Sequence, residues 1–307
     1  MEKMIREPLG VPDQSSLKHV SVLGRGSFGY VSLKRGPDFR LYAKKSSSSF
    51  NHLKNLEKEL RIMLCFRNHP RIVQASSPVV HLEIQPEGCH IYMEFASKGT
   101  LFNMISKFRG NPMPQNMIKR AALMIIQGLD ALHSHGYVHC DLKPANVLVF
   151  PSTTFGEPWD LKLADFGSSK EPSTDSRSLF PGTEQYMPPE SFGHDGVMGP
   201  AVDIWSLGCM VIQMFGGWPE MMGDCYMWRL PKLISPVAND FLMRCLELQP
   251  SRRATAAELL SHPFVAERIS VPLPEMLPCH YSFLRFPSAI IDKVMEELSR
   301  KQGGMMV

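Results

Sequence analysis

Two short motifs decide the fold of this chain: His139-Cys140-Asp141-Leu142-Lys143-Pro144-Ala145-Asn146 and, further along, Asp165-Phe166-Gly167. Apolar, strand-forming residues follow the first motif at 147–150 and precede the second at 161–164. Runs of this kind, bounded by turn-forming residues, predict short β-strands. The sequence therefore predicts a tight catalytic loop and a metal-binding turn, both held between short strands.

The polar side chains of these motifs have the chemistry that phosphoryl transfer requires. Asp141 is placed to accept a proton, and Lys143, two residues later, can reach a transferring phosphoryl group. Asn146 and Asp165 supply hard oxygen ligands, which suit Mg²⁺ because that ion prefers a few protein oxygens together with phosphates.

The pattern resembles the catalytic centre of eukaryotic protein kinases, in which H-R-D-x-x-x-x-N is followed by D-F-G. The resemblance implies an α+β, bilobal fold, with a small antiparallel β-sheet lobe carrying one helix and a larger, mainly helical lobe. It implies that ATP is the phosphoryl donor and that Asp141, Lys143, Asn146 and Asp165 are catalytic. Asn146 and Asp165 are the expected ligands of Mg²⁺. Lys143 together with Thr183 resembles the serine/threonine subset of the family.

A glycine-rich turn is predicted near the N-terminus, at Gly24-Arg25-Gly26-Ser27-Phe28-Gly29-Tyr30-Val31. Its glycines allow the backbone to approach phosphates closely. A strand follows the third glycine, whereas a dinucleotide-binding fold requires a helix there. The turn therefore matches the kinase glycine-rich loop, which implies nucleotide contacts from Leu23, Gly24, Arg25, Gly26, Ser27, Phe28, Gly29, Tyr30 and Val31.

Two adjacent lysines, Lys44 and Lys45, compete for the contact with the α- and β-phosphates. Side chains two apart on a strand share a face, so Ala43 and Lys45 point together. This matches the V-A-I-K arrangement of kinases, and we predict that Lys45 binds the phosphates while Lys44 lies in solvent. Glu59 is the predicted partner of Lys45, with Glu57 as the alternative.

The order of predicted elements changes from strands to helices along the chain. Strands are predicted at 18–23, 30–34, 41–45, 72–73 and 79–84, a strand and connector at 91–96, and one helix over 51–66. An apolar helix over 116–135 is expected to form the core of the second part. The resemblance makes Met93 a gatekeeper and Glu94 and Ala96 part of an adenine-binding hinge.

We accordingly predict a lead-in at 1–16, a kinase domain at 17–265 and a tail at 266–307. The lobes divide the domain into 17–95 and 96–265. The tail includes an amphipathic helix at 288–301, for which packing on its own domain and docking of a partner are both open.

Further elements of the second lobe resemble the end of a kinase domain. The polar segment 168–180 resembles an activation loop, and Pro188-Pro189-Glu190 resembles the family's A-P-E, with Pro188 in place of Ala. The resemblance implies that Asp203 supports the backbone of the catalytic loop and that Arg253 forms a structural ion pair with Glu190.

Cys140 stands where most kinases have Arg, which in those enzymes binds a phosphate on the activation loop. A thiol cannot form that bidentate ion pair. We therefore expect activity to depend less than usual on phosphorylation of this loop. The thiol itself is compatible with a redox sensor and with an inert buried group.

Composition favours an intracellular protein. The 307 residues carry a net charge of only +3, which does not favour nucleic acid or anionic membrane as a partner. The seven cysteines are scattered and never in C-x-x-C spacing, which indicates free thiols and no zinc site. Neither a membrane-length apolar run nor a secretory signal is seen. We expect the protein in the cytoplasm, with the nucleus as a second compartment.

Within kinases, the sequence resembles plant mitogen-activated protein kinase kinase kinases. The resemblance rests on the glycine-rich turn, on Met93-Glu94-Phe95-Ala96 with Gly99-Thr100-Leu101, and on Val138-His139-Cys140-Asp141. It implies a kinase kinase as the protein substrate. The alternative is a pseudokinase-like scaffold that binds signalling partners, which the complete set of catalytic residues disfavours. A small-molecule phosphotransferase is disfavoured because such enzymes lack the elements at Glu190 and Arg253.

Overall fold

The computed structural model describes most of the chain. The described residues are 14–26, 29–84, 87–154, 157–172, 182–192, 199–222, 225–229, 233–266 and 277–278. Ser27 and Phe28, most of the predicted activation loop and the predicted tail helix lie outside the described residues.

A five-stranded antiparallel sheet forms the first lobe, in the order β1-β2-β3-β5-β4. The predicted strands at 18–23, 30–34 and 41–45 are confirmed, each longer than predicted by two or three residues. The fourth strand is shorter than predicted, because Val79 and Val80 lie outside it. The strands are β1 (Lys18–Gly26), β2 (Gly29–Arg35), β3 (Leu41–Ser47), β4 (His81–Ile84) and β5 (Glu87–Glu94).

The register of the sheet decides which side chains face the nucleotide cleft. Lys45 on β3 lies opposite Val31 on β2 and Ile91 on β5, and Ala43 lies opposite Met93. Directly opposed residues project from the same face of an antiparallel sheet. Val31, Ala43, Lys45 and Met93 therefore share a face, as the two-residue period predicts.

Lys44 projects from the opposite face, but the prediction that it lies in solvent is wrong. Its side chain is only 12% exposed, and its Nζ donates to Glu83 Oε1 at 2.7 Å. Glu83 lies on β4, beyond β5 in the sheet order, so this contact depends on strand pairing that a local pattern does not contain.

One helix, α1 (Leu53–Cys65), packs beside the sheet. Its inward face follows helical spacing and buries Leu56, Leu60 and Met63 together with Glu59. The predicted start at residue 51 is slightly early, because a short 3₁₀ turn (Phe50–His52) precedes α1. The Ser49 hydroxyl accepts from the Asn51 N–H and begins that turn.

The second lobe is mainly helical and is built around the predicted apolar helix, α3, which nearly matches the predicted 116–135. A second central helix, α4, is almost entirely buried. Among the described residues no helix is long and apolar enough to cross a membrane. The helices are α2 (Leu101–Ser106), α3 (Gln115–Ser134), α4 (Pro200–Met214), α5 (Pro236–Cys245), α6 (Ala256–Leu260) and α7 (Pro263–Ala266).

Three short antiparallel strand pairs complete the described part of this lobe. The pair β6 (Val147–Phe150) and β7 (Asp160–Leu163) confirms the strands predicted beside the two polar motifs. The pairs β8 (Trp218–Met222) with β9 (Cys225–Arg229), and β10 (Leu233–Ile234) with β11 (Leu277–Pro278), were not predicted. Ile72, predicted as part of a strand, makes only an isolated bridge to Leu163.

Candidate active site

A cleft of about 500 Å³ lies between the two lobes and contains nearly all of the predicted site residues. The lining includes Leu23, Gly24, Arg25, Gly26, Gly29, Tyr30, Val31, Ala43, Lys45, Glu59, Met93, Glu94, Ala96, Asp141, Lys143, Asn146 and Asp165. Sequence reasoning missed Thr100, Asn103, Ala145, Leu148 and Ala164, which also line the cleft. Leu148 and Ala164 belong to the predicted strand runs, but strand periodicity alone did not show that they reach the nucleotide side.

The β1–β2 turn covers one wall of the cleft, and its glycines differ in the space around them. A Cβ on Gly24 or Gly26 would meet no atom within 4 Å, so these positions leave open space on the cleft side. Gly29 has φ of +144°, and a Cβ there would lie 1.9 Å from the Ser46 carbonyl oxygen on β3. Gly29 is therefore required by packing against β3, a reason separate from the expected approach to phosphates.

Lys45 bridges two carboxylates inside the cleft. Its Nζ donates to Glu59 Oε2 at 2.5 Å and to Asp165 Oδ1 at 2.7 Å. Glu59 is buried at 1% exposure, whereas the alternative, Glu57, is exposed. The structure thus pairs Lys45 with Glu59.

The carboxylates keep Lys45 charged in spite of its burial. Burial acts to lower the pKa of Lys45, but the charges of Glu59 and Asp165 outweigh it and raise the pKa above its usual value. Burial acts in the opposite sense on Asp165, yet Lys45 holds the pKa of that carboxyl below its usual range. Burial raises the pKa of the Glu59 carboxyl, although Lys45 acts to lower it. The cleft therefore holds a charged ammonium group between Glu59 and the Asp165 carboxylate.

The turn at Asp165 directs two neighbouring side chains to different environments. Asp165 has the left-handed backbone conformation, with φ of 67°, and its carboxylate lines the cleft. Phe166 is fully buried, with its ring 5.4 Å from that of His139. The buried Phe166 anchors the turn, so that Asp165 is held at the cleft surface beside Lys45.

Asp203 on α4 fixes the backbone of the loop that precedes Asp141. Its carboxylate oxygens accept from the amide of His139 at 2.8 Å and from the amide of Cys140 at 2.9 Å. His133 Nε2 lies 2.8 Å from the same carboxylate, which is completely buried. The expected support of the loop by Asp203 is confirmed.

Asp141 lies at the centre of a polar cluster at the mouth of the cleft. Its Oδ2 accepts from Lys143 Nζ at 2.8 Å and from Asn146 Nδ2 at 3.1 Å, and its Oδ1 accepts from Thr183 Oγ1 at 2.7 Å. Lys143 Nζ also donates to Thr183 Oγ1 at 2.7 Å. A carboxylate offers about four acceptor positions, so three donors leave one for a further hydroxyl.

Asn146 and Asp165 have donor atoms that suit a divalent cation. Asn146 Nδ2 donates to Asp141, so the amide oxygen of Asn146 remains the group that can act as a ligand. The Asp165 side chain is 40% exposed, with one oxygen bound to Lys45. An amide and a carboxylate oxygen in a phosphate-sized cleft fit Mg²⁺, which takes one or two protein ligands together with phosphate oxygens.

The connector between the lobes contains the predicted hinge. Lys162 on β7 donates to both oxygens of the Glu94 carboxylate, at 2.7 and 2.8 Å. The Glu94 amide donates to the Gln74 carbonyl at 3.0 Å, and the Gly99 amide donates to the Ala96 carbonyl at 3.1 Å. These bonds fix the connector and neutralise its carboxylate at the edge of the cleft.

Cys140 is an inert thiol in this fold. The side chain is buried, and its Sγ donates to the Val138 carbonyl oxygen at 3.6 Å. Burial, reinforced by the nearby Asp203 carboxylate, raises the pKa of Cys140 to about 12. The nucleophilic thiolate is therefore almost absent at neutral pH, which favours the inert alternative over the redox sensor.

Two lobes with a lysine–carboxylate bridge and an aspartate at the mouth of their common cleft define an ATP-dependent phosphotransferase. A model of the protein kinase domain matches residues 17–265. The chain belongs to the protein kinase family and is an ATP-dependent serine/threonine protein kinase resembling mitogen-activated protein kinase kinase kinases.

Several curated relatives from Arabidopsis thaliana carry that name. The chain is 30% identical to mitogen-activated protein kinase kinase kinase 20, over 79% of this chain and 76% of that protein. It is 32% identical to mitogen-activated protein kinase kinase kinase 3, over 82% of this chain and 41% of the relative. It is 31% identical to mitogen-activated protein kinase kinase kinase ANP1, over 80% of this chain and 39% of the relative. The chain thus spans about two fifths of the latter two relatives.

Proposed function

We propose that this chain phosphorylates serine or threonine in a protein substrate that is itself a kinase kinase. The observation that carries the reaction is the Asp141–Lys143–Thr183 cluster. Asp141 and Lys143 line the same cleft as Lys45, Glu59 and Asp165. The choice of substrate rests on the names of the relatives, which are mitogen-activated protein kinase kinase kinases. We also propose an intracellular, cytoplasmic location with a nuclear fraction, supported by the free cysteines of the described chain.

Each group of the cleft has one role in this proposal. Lys45, oriented by Glu59, binds the α- and β-phosphates of ATP. The fourth acceptor position of Asp141 takes the hydroxyl proton of the substrate, which orients the oxygen for attack. Lys143 stabilises negative charge on the transferring phosphoryl group, and its second bond, to Thr183, keeps its ammonium group at the mouth of the cleft.

Asn146 and Asp165 would hold Mg²⁺, which neutralises phosphate charge when bound. The β1–β2 turn and the connector at Met93, Glu94 and Ala96 would enclose the nucleotide. Ser27 and Phe28 belong to this proposed nucleotide site but lie outside the described residues.

Phosphate transfer to proteins tests the proposal directly. The wild type is incubated with radiolabelled ATP and Mg²⁺, with a kinase kinase and a generic basic protein as separate substrates. We expect Lys45→Met to abolish transfer because the phosphates lose their cation. Lys44→Met is the matched control: the neighbouring lysine projects from the other sheet face and binds Glu83, so this variant should retain most of the activity.

The outcomes separate the alternatives. Preferential labelling of the kinase kinase supports the proposed substrate, whereas equal labelling of both proteins contradicts that choice while leaving the kinase in place. If wild type bound ATP but labelled neither protein, the scaffold alternative would replace the proposal. Loss of activity in Lys44→Met equal to that in Lys45→Met would contradict the assigned role of Lys45.

Activity is expected to depend little on phosphorylation of the protein itself, because Cys140 carries no charge that could bind a phosphate. After phosphatase treatment and its removal, we expect kcat to stay within about twofold of the untreated value. Mass spectrometry verifies that phosphate has been removed from residues 168–180. A loss of most of the activity in the treated sample would refute the hypothesis.

A further inference from the structure

The β8–β9 strand pair follows α4 and carries one tryptophan on each of its two faces. In its register Trp218 lies opposite Arg229, and Pro219 lies opposite Trp228. Successive residues of a strand project from opposite faces of a sheet. Trp218 is 47% exposed, whereas Trp228 is only 4% exposed. The pair therefore packs its Trp228 face against the larger lobe and presents its Trp218 face at the surface.

The strand pair is closely attached to the end of α4. The Gly217 amide donates to the Ile212 carbonyl oxygen on α4 at 2.9 Å. A Cβ on Gly217 would lie 2.5 Å from the carbonyl oxygen of Arg229, so β9 also packs closely against this turn. The same helix carries Asp203, which fixes the catalytic loop. The strand pair and the catalytic loop thus share one buried support.

Trp228 contacts the backbone of the chain that leads away from the mouth of the cleft. Its Nε1 donates to the Gln185 carbonyl oxygen at 2.9 Å, and its ring centroid lies 5.6 Å from that of Tyr186. From α4, the Ser206 hydroxyl donates to the Tyr186 carbonyl oxygen at 2.8 Å, and Gln213 Oε1 accepts from the Tyr186 hydroxyl at 2.8 Å. Two consecutive residues are therefore held between β9 and α4.

These two residues belong to the segment 183–187, which begins inside the catalytic cluster. Thr183 contacts both Asp141 and Lys143, and the remaining acceptor position of Asp141 is the one proposed for the substrate hydroxyl. A protein that presents its hydroxyl beside Thr183 must place the neighbouring part of its own chain along the residues that follow. The backbone shape of 183–187 therefore affects how well a protein substrate fits.

We propose that Trp228 is a positioning residue for the protein substrate. Through Gln185 and Tyr186 it sets the backbone of the segment 183–187, and so the affinity for the substrate residues next to the acceptor hydroxyl. The inference rests on the proposed kinase function, but it does not depend on which protein is the physiological substrate. A generic basic protein can therefore serve as the phosphate acceptor in its test.

Steady-state kinetics of Trp228→Phe tests this role. Phenylalanine keeps a ring beside Tyr186 but removes the Nε1–H donor, and one hydrogen bond corresponds to a roughly threefold to tenfold rise in the KM for the protein. We expect kcat and the KM for ATP to stay within about twofold, because Thr183 keeps its own bonds to the catalytic loop. A purely structural loss would instead lower the active fraction, and hence kcat, at an unchanged KM.

Trp218→Phe is the matched control, because it makes the same substitution on the outward face of the same strand pair. It should leave kcat and both KM values unchanged. Amide hydrogen exchange over 183–187 should be faster in Trp228→Phe than in the wild type or in Trp218→Phe. If Trp228→Phe fails to fold, a variant with benzothienylalanine at position 228 takes its place, since sulfur replaces the N–H group while the fused ring is kept.

A wild-type KM for the protein in the folded position-228 variant would overturn the proposal, even with faster exchange, because the segment would then not set substrate affinity. An equal rise of this KM in Trp218→Phe would also overturn it. If the wild type transferred no phosphate to any protein, the proposed function would fail. Unchanged exchange over 183–187 in the position-228 variant would separately show that Trp228 does not fix the segment, which overturns the positioning role.

Discussion

Replacing Asp141 by Asn is expected to lower kcat for phosphoryl transfer by roughly 10²- to 10⁴-fold, the range that a positioned general base contributes. Asp141 accepts from Lys143, Thr183 and Asn146, and the remaining acceptor position is the one proposed for the substrate hydroxyl. Asn keeps the size of the side chain but presents an NH₂ group to these donors and carries no negative charge. The variant should therefore fold and bind ATP, but its side chain should not accept the proton of the substrate hydroxyl.

Steady-state kinetics with a protein substrate measures this effect, with kcat and the KM for ATP determined separately. The KM for ATP is expected to stay within about threefold of the wild-type value. An effect confined to kcat identifies an interaction that is made in the transition state. Asp38→Asn is the control, since Asp38 is an exposed aspartate that pairs with Arg40 on a turn away from the cleft. An Asp141→Asn variant with more than a tenth of the wild-type kcat would contradict the assigned role.

The sequence predicted those parts of the site in which one element determines the geometry. The two-residue period of β3 placed Ala43 and Lys45 on one face of the strand. The resemblance of that pair to the V-A-I-K arrangement of kinases then chose Lys45 over Lys44. The strands beside the two polar motifs were also found from a local pattern. Apolar runs of four residues next to turn residues predict strands independently of the rest of the chain.

Contacts between distant elements could not be predicted in this way. The burial of Lys44 depends on Glu83, two strands away in the sheet order. The ion pair between Arg61 and Glu171 joins residues that are 110 positions apart, and neither residue stands out in its own segment. The β8–β9 pair was missed because 218–229 contain no clear alternation of apolar and polar residues.

Replacing Arg253 by Ala is expected to destabilise the protein by about 3–5 kcal/mol, the usual cost of removing one partner of a buried ion pair. The Arg253 side chain is 0% exposed and binds Glu190 through two contacts, at 2.6 and 3.1 Å. Its other donors go to the carbonyl oxygens of Ala201 and Glu247, and its guanidinium stacks on the Trp205 ring. The alanine variant leaves a carboxylate and two carbonyl oxygens without these donors.

Thermal unfolding gives the measurement, and a loss of this size lowers the melting temperature by about 10 °C in a chain of several hundred residues. The melting temperature of Arg253→Lys should lie between those of the wild type and Arg253→Ala. Lysine keeps the charge but lacks the planar guanidinium group that bonds to three elements at once. Arg244→Ala is the matched control, because Arg244 pairs with Asp240 on the surface of α5 at 57% exposure. If Arg253→Ala and Arg244→Ala shifted the melting temperature equally, Arg253 could not be the residue that joins Glu190 to the core of the second lobe.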